Sequence, residues 1–311
     1  MNDRVAADHR PDPLGVLDTL EAATWRANDP AFVAALAQVC SVQFGLSPIA
    51  AADHPTVPFD GPGWRVATDL DESWRVAFAF AEQFVVDVTG ITDSDRAALG
   101  AAFGARTGEV VFLIYVADMV PRVSSALAQL GAAPLSGAAP LATTADMPSR
   151  PDGLWPAIDE FIRVVARMDR LDPVTSELVR LRGARQHHCR MCMSLRNRTA
   201  MLAGADEEMF AAVDTFRDGD PAAELSARHI AALELTDALI WTPARIEATT
   251  IAAVRSEFDG AEQVELVLDV MRNAANKIAV ALAADAANVE DGYEIYDIGS
   301  DGDPVYGLSL A

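Results

Sequence analysis

Positive charge is what the sequence has least of. Lysine and arginine total 24 against 46 aspartates and glutamates, a net charge of −22. Proteins that neutralise nucleic-acid phosphates or settle on an anionic bilayer need a basic face, so neither nucleic acid nor membrane is expected as a partner. Cysteine is scarce too. Cys40, Cys189 and Cys192 are the only three, too few and odd in number for a disulfide scaffold, which fits a reducing, cytoplasmic setting. Long apolar runs are missing as well. The two extended uncharged stretches are 30–52, broken by Gln38, Ser41, Gln43 and Ser47-Pro48, and 123–145, broken by Gly, Pro, Ser and Thr. A membrane-spanning helix needs about 20 consecutive apolar residues. The opening Met-Asn-Asp-Arg has no apolar signal core, so no secretory leader is expected. No Gly-rich phosphate loop occurs, since 100–108 has the wrong spacing and no following Lys-Ser/Thr; no nucleotide cofactor is expected.

What is present is apolar and helical. Of the 311 residues, 51% are hydrophobic, ample for a core. Apolar residues recur three and four apart, as in Leu178, Val179 and Leu181, or Val264, Leu268 and Met271. Asp29-Pro30, Asp172-Pro173 and Thr242-Pro243 each place a capping residue before a proline suited to a first helical turn. An all-α protein is predicted, with an extended or irregular tail over 291–311. The segment 54–63 carries too much Pro and Gly for a helix. The Pro-, Gly- and Ser-rich stretch 131–153 reads as a linker between halves at 14–130 and 154–290.

The halves resemble each other. Shifted by 155, residues 76–127 fall without a gap on 231–282, matching Ile91 with Ile246, Ala97-Ala98 with Ala252-Ala253, Phe103 with Phe258, and Ala126-Leu127 with Ala281-Leu282. One offset held over about fifty residues points to an internal duplication. Upstream, Asp29-Pro30 aligns with Asp172-Pro173 at an offset of 143, which sets Glu177 on Ala34, Cys189 on Leu46 and Cys192 on Ile49. The first copy lacks all three reactive groups, so an active site is expected in the second.

The segment 176–198 concentrates the chemistry. Cys189 and Cys192, three apart on a helix, would share a face and come within disulfide range after modest adjustment. Arg180, Arg182, Arg185, Arg190, Arg196 and Arg198 crowd the same region. Positive charge favours a thiolate, although arginines in so acidic a chain also serve as partners for its carboxylates. Glu177, upstream on the same predicted helix, would hold or relay a proton if buried beside the thiols. His187-His188 suggests zinc, but adjacent histidines diverge and no second Cys-x-x-Cys completes four ligands; no metal is expected. Cys40 reads as a small core hydrophobe.

Glu-Leu-Val-Arg-Leu-Arg (177–182), with Cys-x-x-Cys twelve residues after the Glu, resembles the carboxymuconolactone decarboxylase / AhpD-like alkylhydroperoxidase superfamily. The blocks at 225–239 and 258–267 extend the likeness, which covers most of 151–290 and, in degenerate form, 14–130. The resemblance implies an AhpD-like helical bundle duplicated as a pseudo-dimer, and assembly into a homo-oligomer. It implies that Cys192 attacks a peroxide, that Cys189 resolves the sulfenic acid to a disulfide, and that Glu177 joins the proton relay. The family's histidines, four residues after the second cysteine and just before it, are here Arg196 and Met191. Arg196 stays charged and would favour the Cys192 thiolate without acting as a base. The expected function is thus a thiol peroxidase or dithiol oxidoreductase using a peroxide and an external dithiol reductant, without a cofactor. The alternatives are a decarboxylase-like enzyme whose Arg196 grips a carboxylate or lactone, and a non-catalytic helical scaffold or redox sensor.

Overall fold

The structure, a computed structural model, describes residues 13–49, 57, 59, 61–131, 153–217 and 225–310. The described residues are all-α apart from three short strands. The first half comprises α1 (Pro13–Ala27), α2 (Pro30–Val42), α3 (Glu72–Val86), α4 (Asp93–Phe103) and α5 (Thr107–Gln129). The second comprises α6 (Leu154–Ala166), α7 (Pro173–Gln186), α8 (Arg190–Met193), α9 (Arg198–Leu202), α10 (Glu207–Thr215), α11 (Ala227–Trp241), α12 (Ala248–Glu257), α13 (Gly260–Ala274) and α14 (Asn276–Ala281). Of the predicted linker 131–153, residues 132–152 lie outside the described residues. Of the Pro- and Gly-rich segment 54–63, Gly61–Arg65 is described and forms a 3₁₀ turn rather than an α-helix.

Two of the three predicted helix starts are found. Asp29 accepts from the amide of Ala31 at 3.0 Å and Asp172 from that of Thr175 at 2.8 Å, each ahead of a proline in the first turn. Thr242-Pro243 does not start a helix. Thr242 ends α11, and α12 begins only at Ala248. The intervening chain is captured by α5: Ser125 and Gln129 donate to the Pro243 carbonyl, and Gln129 accepts from the Ile246 amide. Tertiary hydrogen bonds override the local helix signal.

A single apolar cluster runs through both halves, from Leu20, Leu36 and Phe78 to Phe161, Leu235 and Leu268. The halves meet where α1 packs on α6 and α5 on α13. The stretch Asp93–Gln129 is long and apolar enough to cross a membrane, yet 83% of its most apolar window is buried inside the protein, which marks it as the core helix. Helices α3 and α11 lie 155 residues apart at both ends, and α2 and α7 start 143 apart.

Charge is buried at the contact between the halves. Asp118 on α5 accepts from Arg122 and from Lys277 of α14, both at 2.6 Å, and all three are at most 4% exposed. Lys277 is the only lysine in the chain. Arg122 also donates to the carbonyls of Val85, Leu239 and Ile240, joining the C-terminal ends of α3 and α11.

The tail predicted to be extended or irregular contributes two of the three strands. β1 (Leu195–Asn197) pairs parallel with β2 (Glu294–Ile298), and β2 pairs antiparallel with β3 (Pro304–Val305). Gly302 turns the chain at φ +91° directly against the Arg163 backbone, where a Cβ would lie 2.5 Å from the carbonyl oxygen. The tail is thereby fastened to α6 and to β1, which follows the cysteines in the chain.

Candidate functional site

The helix bearing Glu177 does not continue to the cysteines. α7 stops at Gln186, His188 adopts φ +49°, and Cys189 becomes the N-cap of the short α8. The pair therefore sits on a loop-to-helix junction rather than on one helix face, as its spacing suggested. The outcome for the sulfurs is the one expected. They are in bonding contact, with the Cα atoms 5.3 Å apart, inside the range for a disulfide. Cys189 is fully buried, and Cys192 is half-buried. The Cys192 amide donates to Cys189 Sγ at 3.2 Å.

The loop is tied down on two sides. Arg190 makes a bidentate pair with buried Asp285, whose backbone carbonyl also accepts from the Met191 amide at 2.9 Å. On the other side Arg180 donates to the Cys192 carbonyl at 2.7 Å and to the Leu195 carbonyl at 2.9 Å. The Arg180 side chain is itself aimed by Glu177, through contacts of 2.6 and 2.7 Å. Glu177, 2% exposed, further accepts from the Asn197 amide at 3.1 Å and the Tyr296 hydroxyl at 3.3 Å.

Two residues expected to act on the thiols have other partners in the structure. Glu177 is buried as supposed, but its oxygens are engaged by Arg180, Asn197 and Tyr296 rather than by a thiol; it reaches Cys192 only through Arg180. Arg196 was expected to favour the Cys192 thiolate. Its guanidinium is instead taken up by Glu207 at 2.9 and 3.1 Å and by the carbonyls of Met193 and Leu195, stacked between Phe210 and Tyr293. The other arginines follow suit. Arg182 pairs with Asp237, Arg185 with Asp214, and Arg198 donates to the Ser309 carbonyl. The guanidiniums of this segment are taken up by carboxylates and backbone carbonyls. Arg180 was legible as the i+3 partner of Glu177. Tyr296 and Asp285 lie about a hundred residues downstream, with no local pattern to announce them.

Neither histidine is seen to attend the sulfurs. His188 is exposed, and buried His187 pairs through Nδ1 with Asn276 Oδ1 at 2.8 Å. Burial, reinforced by Lys277, holds His187 down to about 3, so it stays neutral in the fold. The unfolded chain takes up that proton below its ordinary value of about 6.5. Stability should therefore be undiminished above pH ~6.5 and fall by ~1.4 kcal/mol per pH unit as the pH drops towards 3. Denaturant titrations across this window should show a shallower slope for His187→Gln, and equal slopes would refute the assignment. Cys40, buried at 2% exposure, has its thiol pushed well up by burial, as suits a core residue. Among the described residues no group of three His, Cys, Asp or Glu is arranged to hold a metal.

Beside Glu177 opens a cavity of about 290 Å³, walled by α6, α7, α13 and β2, with Arg180, Asp269, Arg272 and Tyr296 among its lining.

No family model matches the chain, and no solved structure matches it. Two curated relatives do, both from Mycobacterium tuberculosis: the uncharacterized protein Rv2313c of strain H37Rv and the uncharacterized protein MT2376 of strain CDC 1551. Each is 39% identical over 305 residues, spanning 96% of this chain and 100% of the relative.

Proposed function

For this chain, which belongs to the same family as the Mycobacterium tuberculosis protein Rv2313c, we propose the reduction of peroxides by an AhpD-like dithiol. The carrying observation is the meeting of the Cys189 and Cys192 sulfurs with only Cys192 open to solvent. In the reduced protein the Cys192 thiolate attacks the distal oxygen of a hydroperoxide; the O–O bond breaks, and the alcohol leaves after taking up a proton. Cys189 then attacks the Cys192 sulfenic acid, forming the disulfide and releasing water. An external dithiol restores both thiols by exchange and is itself oxidised. Glu177 acts as a positioning residue, holding Arg180 on the Cys192 carbonyl so that the sulfurs keep their register.

The AhpD-like architecture is proposed in duplicate, as a fused pseudo-dimer. Its support is the constant 155-residue offset of α3 and α11 and the packing of α5 against α13. An isologous interface brings equivalent elements together in this way. Arg122 and Lys277, related by the same offset, meet at one aspartate. Reading the site as an anion-binding decarboxylase finds less support, because the arginine it needs, Arg196, is occupied by Glu207.

The test is a free-thiol count on reduced protein before and after one equivalent of peroxide, with peptide mass spectrometry to locate any bridge. Two thiols should disappear, a Cys189–Cys192 disulfide should form, and a dithiol should reverse it. Survival of both thiols would overturn the proposal and leave the scaffold reading in its place.

A further inference from the structure

Both residues between the cysteines are held by one residue from elsewhere in the chain. The start of a helix leaves backbone amides without partners inside the helix, and α8 is only four residues long. Each of its opening amides has a partner outside the helix backbone. The Cys189 amide donates to the Ala184 carbonyl at 2.9 Å, and the Cys192 amide to Cys189 Sγ at 3.2 Å. The other two go to Asp285. The Arg190 amide donates to its Oδ2 at 3.0 Å and the Met191 amide to its carbonyl at 2.9 Å. Asp285 thus grips the turn between Cys189 and Cys192 through side chain and main chain at once.

The grip is fixed at its own end. Asp285 is 5% exposed and lies four residues beyond α14. Two residues before it, Ala283 adopts φ +54°, a left-handed conformation that alanine rarely takes. Such a conformation persists only where the surroundings hold it. The Arg190 guanidinium reaches the same carboxylate at 2.9 and 3.2 Å and holds it below the usual carboxylate range, so Asp285 is ionised and accepting at neutral pH. Cys189 is anchored separately, fully buried and bonded to α7 through its amide. Where Cys192 stands relative to it is decided by the turn that Asp285 holds. A turn already held in place loses less freedom when the sulfurs join, which favours the disulfide.

We propose that Asp285 is a positioning residue that sets the dithiol–disulfide equilibrium of Cys189 and Cys192 by holding Arg190 and Met191 in the closed turn. This role rests on the thiol–disulfide reading of the pair, and it fixes how strong a reductant the pair requires.

The full chain, equilibrated in dithiothreitol buffers of graded ratio, tests it. Dithiothreitol gives two electrons and two protons to the protein disulfide and closes to its own cyclic disulfide; alkylation and peptide mass spectrometry count what remains. Asp285→Ala should move the equilibrium about tenfold towards the dithiol, about 30 mV. The Arg190 side chain is 60% exposed, so this variant leaves it in water rather than stranded. Asp285→Asn, which keeps an oxygen for the Arg190 amide, should move the equilibrium less. A merely structural residue would lower the Tm of oxidised and reduced protein alike, whereas positioning lowers that of the oxidised form more. By reciprocity the disulfide tightens the grip by the same factor. The Arg190 and Met191 amides of the unmutated protein should therefore exchange about tenfold more slowly when it is oxidised, which decides the question even if Asp285→Ala does not fold. An unmoved equilibrium in folded Asp285→Ala, a full tenfold shift in Asp285→Asn, equal Tm losses or equal exchange would overturn this role and leave the redox reading standing. Absence of the disulfide in the unmutated protein at every ratio would overturn both.

Discussion

Cys192→Ser is expected to lower dithiol-supported peroxide turnover at least about a thousandfold, because a serine hydroxyl at neutral pH is a far poorer nucleophile than a thiolate. Cys189→Ser should fail differently. The half-buried sulfur of Cys192 can still attack, but no thiol stands beside it to expel water from the sulfenic acid. One equivalent of peroxide should then be consumed rapidly, with the oxidised Cys192 trapped by dimedone and identified by peptide mass spectrometry. The two variants thus assign attacking and resolving roles that exposure alone only suggests. If Cys189→Ser leaves Cys192 unmodified while Cys192→Ser is trapped at Cys189, the roles are reversed. Glu177→Gln should give an intermediate result. It weakens the clamp of Arg180 on the Cys192 carbonyl and should slow disulfide closure more than the initial attack, a split visible in single-turnover kinetics.

The largest loss of stability is expected elsewhere, at the contact between the halves. Asp118→Ala strands two cations at once, Arg122 and Lys277, each at most 4% exposed. Removing one partner of a buried pair costs about 3–5 kcal/mol, and for a protein of this size a fall in Tm on the order of 10 °C follows. Lys277→Met should be milder, since Arg122 still neutralises Asp118. Adding Lys277→Met to Asp118→Ala should recover part of the loss, and the double-mutant cycle measures the coupling. The pH response has a fixed sign. Despite burial, Arg122 and Lys277 hold the Asp118 carboxyl below its usual range, so its contribution is complete above the ordinary carboxylate pKa and fades as the pH falls. A Tm for Asp118→Ala within a degree or two of the parent would contradict this account.

The helical core was legible because its signals are local. The Leu178–Leu181 stripe and the aspartate caps before Pro30 and Pro173 act within one or two turns, and they appear where expected. Thr242-Pro243 has the same local form, yet the side chains of Ser125 and Gln129 decide that backbone from more than a hundred residues away. The site divides in the same manner. The meeting of Cys189 with Cys192 follows from their spacing. The allegiance of Arg196 does not, because Glu207, Phe210 and Tyr293 compete for it after the chain has folded. Arg180 was visible as one of six arginines, but its hold on the Cys192 carbonyl depends on a helix ending at Gln186, and nothing in the residue pattern there foretells that ending.

The solitary lysine has a practical consequence. Apart from the chain's α-amino group, Lys277 is the only primary amine available to an acylating reagent, and the fold keeps it under cover at 4% exposure and bound to Asp118. An active ester should leave the Lys277 peptide unmodified until the two halves separate or the chain opens. The rate at which that peptide acquires the label is then a clock for opening at the central contact, obtained without introducing any probe.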